Sequence, residues 1–214
     1  MSDPECIVFV VDDDPLVRDS VSDLLVSAGF AAQTFGSATE FIQAKRPDVS
    51  ACLILDVELP DLSGLDLQTD LATSGVEIPI IFLTGRGDIP KSVRAMKAGA
   101  VEFLTKPFRA QELVDAVRQA LQRDGEFRKQ RSETLKLRER LGTLTPRERQ
   151  VLAWVVTGLL NKQIAGELGT TELTIKAHRG RVMRKMNAAS LADLVRMAET
   201  LKISLPQRSS TKVE

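Results

Sequence analysis

The 214-residue sequence predicts an α/β fold, a doubly wound five-stranded parallel sheet, followed by a long linker helix and an all-α domain of helix-turn-helix organisation. Three observations predict it. From residue 6 to about residue 122, five short apolar runs alternate strictly with five amphipathic helical patterns, the rhythm of strands joined by crossover helices. The stretch that follows is dense in charge and free of proline. The last third opens on a complete helix start signal and carries further helical patterns at short intervals.

The first strand, residues 7–11, reads IVFVV, an unbroken apolar run suited to a strand covered on both faces. It runs directly into Asp12, Asp13 and Asp14. Further strands are predicted at 32–35, 53–55, 80–84 and 101–104, with helices at 15–28, 37–44, 64–73 and 89–98 and a fifth beginning near Ala110. The segment LQRDGEFRKQRSETLKLRERLG continues or restarts a helix, with Phe127, Leu135, Leu137 and Leu141 as sparse apolar positions. It reads as a solvated spacer or a dimerising coiled coil, and its spacing is too irregular to define a heptad seam. At LTPRERQVL, Thr145 as N-cap, Pro146 at N1 and Glu148 at N3 complete a capping box. Helices are predicted next at 161–168, 172–186 and 190–200, and the tail SLPQRSSTKVE has little to bury. The expected organisation is therefore a first domain at 1–122, a linker helix at 123–142, a helical domain at 143–204 and a flexible tail at 205–214.

The formal net charge of zero hides a division along the chain. Residues 1–120 hold 19 Asp and Glu against 10 Lys and Arg, whereas residues 142–214 hold 6 against 12. An acidic first half and a basic last third imply two tasks, the second involving a polyanion. Cys6 and Cys52 lie beside apolar runs without metal-ligand spacing, which fits core positions in a reducing compartment. No apolar run approaches 18 residues and MSDPECIV has neither a basic start nor a cleavage pattern, so the expectation is a cytoplasmic protein with no membrane association.

The stretch LILDVELPDLSG repeats the opening arrangement, a buried strand ending abruptly in Asp56. If the first and third strands are neighbours, Asp12, Asp13 and Asp56 converge beyond the carboxyl ends of the strands, where ligands of such sheets collect. Three carboxylates together call for a hard divalent cation, Mg2+ or Mn2+ in its place, and the lack of His or Cys argues against zinc. The bland alternative is acidic loop ends scattered over a surface. Thr84, ending IIFLTG, and Lys106, in FLTKPF, point to the same volume and add a hydroxyl donor and a mobile cation. Pro107 after the lysine permits a cis bond. Such a set suits stabilisation of a transferring phosphoryl group, and without a GxxxxGK cradle the phosphoryl donor is expected to be another molecule rather than bound ATP.

The motifs VVDDDP, LILDVELPDLSG, IIFLTG and AMKAGAVEFLTKPF resemble the CheY-like receiver domain of bacterial two-component response regulators over residues 5–122. The resemblance implies that Asp56 is phosphorylated by a sensor histidine kinase. It also implies that Asp13, Asp56 and the backbone carbonyl of Glu58 ligate Mg2+ directly, with Asp12 acting through metal-bound water. Thr84 and Lys106 would contact the phosphoryl group, and Phe103, which read alone is a core aromatic, would be a switch residue. Asp14 is assigned to the loop surface. Glu58 places an acid at the mouth of the pocket.

The run NKQIAGELGTTELTIKAHRGRVMRKMNAAS has helix-turn-helix organisation, with Asn161 and Thr171 as caps and Leu168-Gly169-Thr170 as the turn. Ile175, His178, Val182 and Met186 recur on the inner side of the second helix, leaving Lys176, Ala177, Arg179, Gly180, Arg181, Arg184 and Lys185 outward. A cationic helix with one apolar side fits double-stranded DNA, and a merely solvated basic face is the alternative. LTPRERQVL, NKQIAGEL and TIKAHRGRVMRKM resemble the LuxR-type effector domain of the NarL/FixJ family over residues 143–203. The resemblance implies base contacts for Lys176, Ala177 and Gly180 and phosphate contacts for Asn161, Lys162, Thr174 and Arg179, with Arg181 and Arg184 adding cationic contacts. Gly180 departs from the bulkier residues usual there.

The function these readings imply is a DNA-binding transcription regulator activated by phosphorylation, not an enzyme beyond its own phosphorylation and dephosphorylation. Its partners would be a histidine kinase, promoter DNA and RNA polymerase. It would form a homodimer on phosphorylation through the surface of residues 89–121, because helix-turn-helix readers gain specificity from paired half-sites. The alternative is a Mg-dependent phosphatase-like hydrolase with Asp56 as nucleophile and Glu58 as the acid two residues beyond it.

Overall fold

In the computed structural model, which describes residues 6–85 and 89–206, five parallel strands form one sheet. They are β1 (Cys6–Val11), β2 (Ala31–Phe35), β3 (Ser50–Asp56), β4 (Ile80–Thr84) and β5 (Glu102–Thr105), in the spatial order β2-β1-β3-β4-β5. The helices α1 (Pro15–Ser27), α2 (Ala38–Gln43), α3 (Gly64–Thr73), α4 (Ile89–Lys97) and α5 (Ala110–Gly142) follow the strands in turn. Because strand side chains alternate, each apolar run supplies two cores. Phe9, Val11, Leu53, Leu55 and Phe82 pack under α2, α3 and α4, while Val8, Val10, Cys52, Ile54, Ile81 and Leu83 pack under α1 and α5. On the first face Phe9, Phe35 and Phe41 meet at ring-centre distances of 5.5 to 6.2 Å, the tilted and edge contacts aromatic quadrupoles favour.

The register places the acidic residues together. Val11 pairs with Leu55 on the adjacent strand, so the residues that follow, Asp12 and Asp56, leave the sheet side by side. The strand order at the sheet centre thereby meets the condition on which convergence of the carboxylates depends. β3 is longer than its apolar stretch, starting at Ser50, because Ser50 and Ala51 take ladder positions opposite Cys6 and Ile7. β5 begins at Glu102, one residue later than its apolar run, and the Lys106-Pro107 bond is cis.

Helix α5 continues without a break through Gly125. Its middle is tied to the start of β3. Asp124 is 4% exposed and accepts the Ala51 N–H at 3.0 Å, Ser50 Oγ donates to the Leu121 carbonyl at 3.3 Å, and Arg128 pairs with Asp48. Asp124 so satisfies a part-buried amide at the start of β3, ahead of the point where β4 joins the ladder. Cys52 is buried and its thiol is pushed well above the ordinary range by that burial, while Cys6 is half-buried.

The chain divides into two compact units, Met1–Arg128 and Lys129–Glu214. The second contains α6 (Pro146–Val155), α7 (Asn161–Glu167), α8 (Glu172–Met186) and α9 (Leu191–Thr200). Val151, Leu152, Trp154, Ile164, Ile175, Val182, Met186 and Leu194 close its core. Three of its helices begin on hydroxyl caps: Thr145 in a capping box with Glu148, Thr171 before α8 and Ser190 before α9. Asn187, left-handed at φ 56°, ends α8. Two expectations are corrected here. The N-cap of α7 is Leu160, whose N–H donates to Gln163 Oε1 at 2.9 Å, and Asn161 lies inside the first turn with its side-chain oxygen accepting from Arg179 at 3.2 Å. Lys185 does not point away from the domain: its Nζ binds Glu148 Oε2 at 2.7 Å and the Thr143 carbonyl at 3.0 Å. Among the described residues no helix is long and apolar enough to cross a membrane.

Candidate functional site

At the carboxyl end of the sheet, β1 and β3 deliver Asp12, Asp13 and Asp56 with one oxygen from each within 4.8 Å of the others. Asp12 is fully buried, Asp56 is 7% exposed and Asp13 faces solvent. Lys106, at the end of β5, bridges the two buried acids, its Nζ 2.5 Å from Asp12 Oδ2 and 2.8 Å from Asp56 Oδ2. Burial raises the Asp12 carboxyl above its ordinary value, and the hydrogen bonds from Lys106 and the Asp14 N–H offset this only in part. For Lys106 burial works against the charge, but the bonds to Asp12 and Asp56 outweigh it and hold the ammonium above its usual range.

The backbone fixes these side chains. Asp12 Oδ1 accepts the Asp14 N–H at 3.0 Å, and Asp56 Oδ1 accepts the Glu58 N–H at 3.2 Å. Asp14 itself caps α1 through the Leu16 N–H at 2.9 Å and stands outside the carboxylate cluster. Thr84, 2% exposed, ends β4, and its carbonyl accepts the Lys106 N–H at 2.7 Å. Phe103 on β5 is half-buried, 6.1 Å from the Phe82 ring. The Glu58 carboxylate is exposed and pairs with Lys91 at 3.3 Å.

Three supports of this pocket escaped the sequence reading. Arg18 donates to the Asp12 and Asp13 carbonyls at 2.6 and 3.0 Å, clamping the turn after β1. Asp61 accepts from the Thr39 N–H at 2.9 Å and its hydroxyl at 2.7 Å, tying the loop after β3 to the start of α2. Gly64 sits so close to β3 that a Cβ there would lie 2.2 Å from the Asp56 carbonyl oxygen. The glycine, which ends LILDVELPDLSG, is the only one of the three whose residue type was a signal.

A resident divalent cation fits this donor set, since hard oxygen ligands with several retained waters are what Mg2+ prefers. The three carboxylate oxygens lie close enough together to share one ion, and the exposed Asp13 leaves the mouth open to water.

In the second unit α8 buries Ile175, Val182 and Met186 and exposes Leu173, Lys176, Ala177, Gly180, Arg181 and Arg184. Lys162 is exposed on α7, whereas Thr174, Arg179 and Asn161 are half-buried. His178 is half-buried, with Nδ1 enclosed. The exposed side of α8 thus carries three cations, Lys176, Arg181 and Arg184, against one acid, Glu172 at its start, a net positive face matched to a polyanion.

Comparison with known proteins agrees with both units. Residues 8–118 match the response regulator receiver domain family, and residues 142–198 match the luxR family of bacterial regulatory proteins. The chain is 54% identical over 209 residues to nodulation protein W of Bradyrhizobium diazoefficiens, covering 98% of this chain and 92% of that protein. It is 46% identical over 205 residues to response regulator protein TodT of Pseudomonas putida, covering 96% and 90%. The solved structure of response regulator StyR is 50% identical, with a TM-score of 0.79 over 91% of this chain and 98% of that one. Full-length FixJ from B. japonicum is 38% identical, with a TM-score of 0.56 over 92% and 98%. With a carboxylate cluster at the receiver sheet and a basic helix in the second unit, this chain belongs to the NarL/FixJ family of response regulators: it is a DNA-binding transcription regulator activated by phosphorylation of an aspartate in its receiver domain.

Proposed function

We propose that Asp56 is the phosphoacceptor and a sensor histidine kinase the donor. The observation that carries this is Lys106, which places its ammonium 2.8 Å from Asp56 Oδ2 while that carboxylate still reaches the pocket mouth. An Asp56 oxygen attacks phosphorus as the P–N bond of the donor's phosphohistidine breaks, and the departing imidazole takes a proton from solvent. Lys106 and the Thr84 hydroxyl contact the transferred group. Asp12, Asp13, Asp56 and the Glu58 carbonyl hold Mg2+ or Mn2+, which when bound supplies positive charge to the phosphoryl oxygens. Phe103 then packs differently against β4 and biases the surface of α4, β5 and the first part of α5. Ile89, Val93 and Met96, exposed at 75%, 46% and 44% on α4, support this surface as the homodimer contact of the phosphorylated protein.

The proposed domain limits are 1–122 for the receiver, 123–142 for the linker and 143–204 for the DNA reader; of the tail expected at 205–214, residues 207–214 lie outside the described residues. Lys176, Ala177 and Gly180 face base edges; Asn161, Lys162, Thr174, Arg179, Arg181 and Arg184 lie toward phosphates, Arg179 acting partly by holding Asn161. The protein works in the cytoplasm, on promoter DNA and with RNA polymerase. Intact mass after incubation with a small phosphodonor and Mg2+ tests the acceptor: the wild type gains one phosphoryl group and Asp56→Asn gains none. Labelling of Asp56→Asn at the wild-type rate removes Asp56 from this role.

A further inference from the structure

We propose that Leu173 is a specificity-determining residue that reads a thymine C5-methyl group in the major groove of each half-site. The inference rests on the reading of α8 as the helix that meets bases, and deepens it. Leu173 is 76% exposed, more than any other large apolar side chain described in the molecule. It stands in the first turn of α8, two residues after the Thr171 cap. At 3.6 residues per turn, Leu173, Ala177, Gly180 and Arg184 fall within an arc of roughly 60° and opposite the buried Ile175, Val182 and Met186. Folding of the second unit therefore gains nothing from a leucine here, and the residue stands on the side of α8 turned away from that unit's own core.

The surroundings identify what it meets. Lys176, Arg181 and Arg184 flank the position, and the single acid in the first turn is Glu172, so the face attracts a polyanion rather than an apolar protein groove. Along the face side chains shrink from Leu173 to Ala177 to Gly180 over about 10 Å, close to three base-pair steps. A Cβ at Gly180 would touch nothing within 4 Å, so neither packing nor backbone geometry within the protein requires that glycine. A taper of this kind lets the helix lie deep in a groove at Gly180 while the longer Leu173 spans the wider gap at its N-terminal end, the end that points to base edges in helix-turn-helix proteins. Helical side chains lean toward the N-terminus, which carries the Leu173 methyls further the same way. Leucine offers no hydrogen bond, and the one apolar feature of the natural major groove is the methyl of thymine.

The test uses the full chain, phosphorylated with a small phosphodonor and Mg2+, in selection from random-sequence duplex DNA. Wild type is expected to fix one T·A pair at the same place in each half-site, and Leu173→Ala to lose selection at that pair alone. Because Leu173 is exposed, the variant keeps its fold, checked by the fluorescence of Trp154. Deoxyuridine in place of that thymine removes only the methyl group and is expected to weaken wild-type binding about four-fold, the equivalent of ~0.8 kcal/mol per buried carbon, and to leave Leu173→Ala unaffected. An unchanged selection profile for Leu173→Ala, or deoxyuridine that costs the wild type nothing, overturns the proposal, including the case in which Leu173 proves to contact a protein partner. If Lys176→Ala instead selects the same sites at full affinity, the reading of α8 itself fails and takes this inference with it.

Discussion

Replacing Gly64 by alanine moves one methyl group into the space between α3 and the strand that carries Asp56. The added Cβ would lie 2.2 Å from the Asp56 carbonyl oxygen and 3.2 Å from both the Asp56 carbonyl carbon and Leu55 Cγ. An ordinary carbon–oxygen contact needs about 3.3 Å, so strand and helix must part by about 1 Å at Asp56. Backbone cannot swing aside as a flexible side chain does, and overpacking of this type costs about 1 to 3 kcal/mol, which a domain of typical stability survives. Chemistry is affected more. A reacting group misplaced by about 1 Å loses on the order of 100-fold in rate. The assay is the initial rate of phosphorylation from a small phosphodonor at saturating Mg2+, followed by intact mass. Gly125→Ala is the control, because a Cβ there has nothing within 4 Å. Gly64→Ala is expected to remain folded by circular dichroism and to label about 100-fold more slowly, with Gly125→Ala at the wild-type rate. A folded Gly64→Ala protein that labels within about three-fold of wild type refutes the claim that the glycine sets the position of the carboxylate.

Three further outcomes are expected. The Lys185 ammonium and the Thr145 N–H hold the Glu148 carboxyl at about 2, below its ordinary 4.5, so its contribution is full above pH 4.5 and is lost as pH falls toward 2. Urea unfolding read by Trp154 should show Glu148→Gln less stable than wild type at pH 7, with the gap closing below pH 3; a gap independent of pH removes the ion pair as its cause. Asp124→Ala leaves the part-buried Ala51 N–H without its partner and should cost about 1 kcal/mol, seen as faster hydrogen exchange at that amide. Lys106→Ala leaves Asp12, Asp13 and Asp56 uncompensated, so added Mg2+ should raise its melting temperature by more than it raises that of wild type; an equal or smaller rise contradicts the pairing seen at 2.5 and 2.8 Å.

The parts legible in sequence were those encoded locally. IVFVV and IIFLT announce buried strands through composition alone, and LTPRERQ carries its capping box within four residues. The acidic site was legible because its members end such strands, and only the strand order had to be assumed. What escaped depends on partners far along the chain. Lys185 falls on the flank of its helix, where a wheel diagram cannot separate solvent from a neighbour, and Glu148, 37 residues away, decides the matter. Asp124 looks like one more charge in a charged segment until the Ala51 amide is placed beside it. Asn161 is a better capping residue than Leu160 in isolation, yet Gln163 satisfies the preceding amide and Arg179 takes the asparagine oxygen. The early start of β3 has no apolar signal, because Ser50 and Ala51 join the ladder through backbone alone.

The bridge from Lys106 to Asp12 and Asp56 spans 94 and 50 residues of chain and so has a consequence for biosynthesis. At about 5 to 20 residues per second, a ribosome places Lys106 some seconds after Asp56. During that interval the nascent chain holds its acids without the lysine, and β4 and β5 have yet to complete the sheet. With the role proposed for Lys106, a product that stops short of that residue cannot accept the signal, however much of its N-terminal half has emerged. On the same proposed role, a receiver becomes competent only once β5 is in place and the bridge to Asp12 and Asp56 is closed.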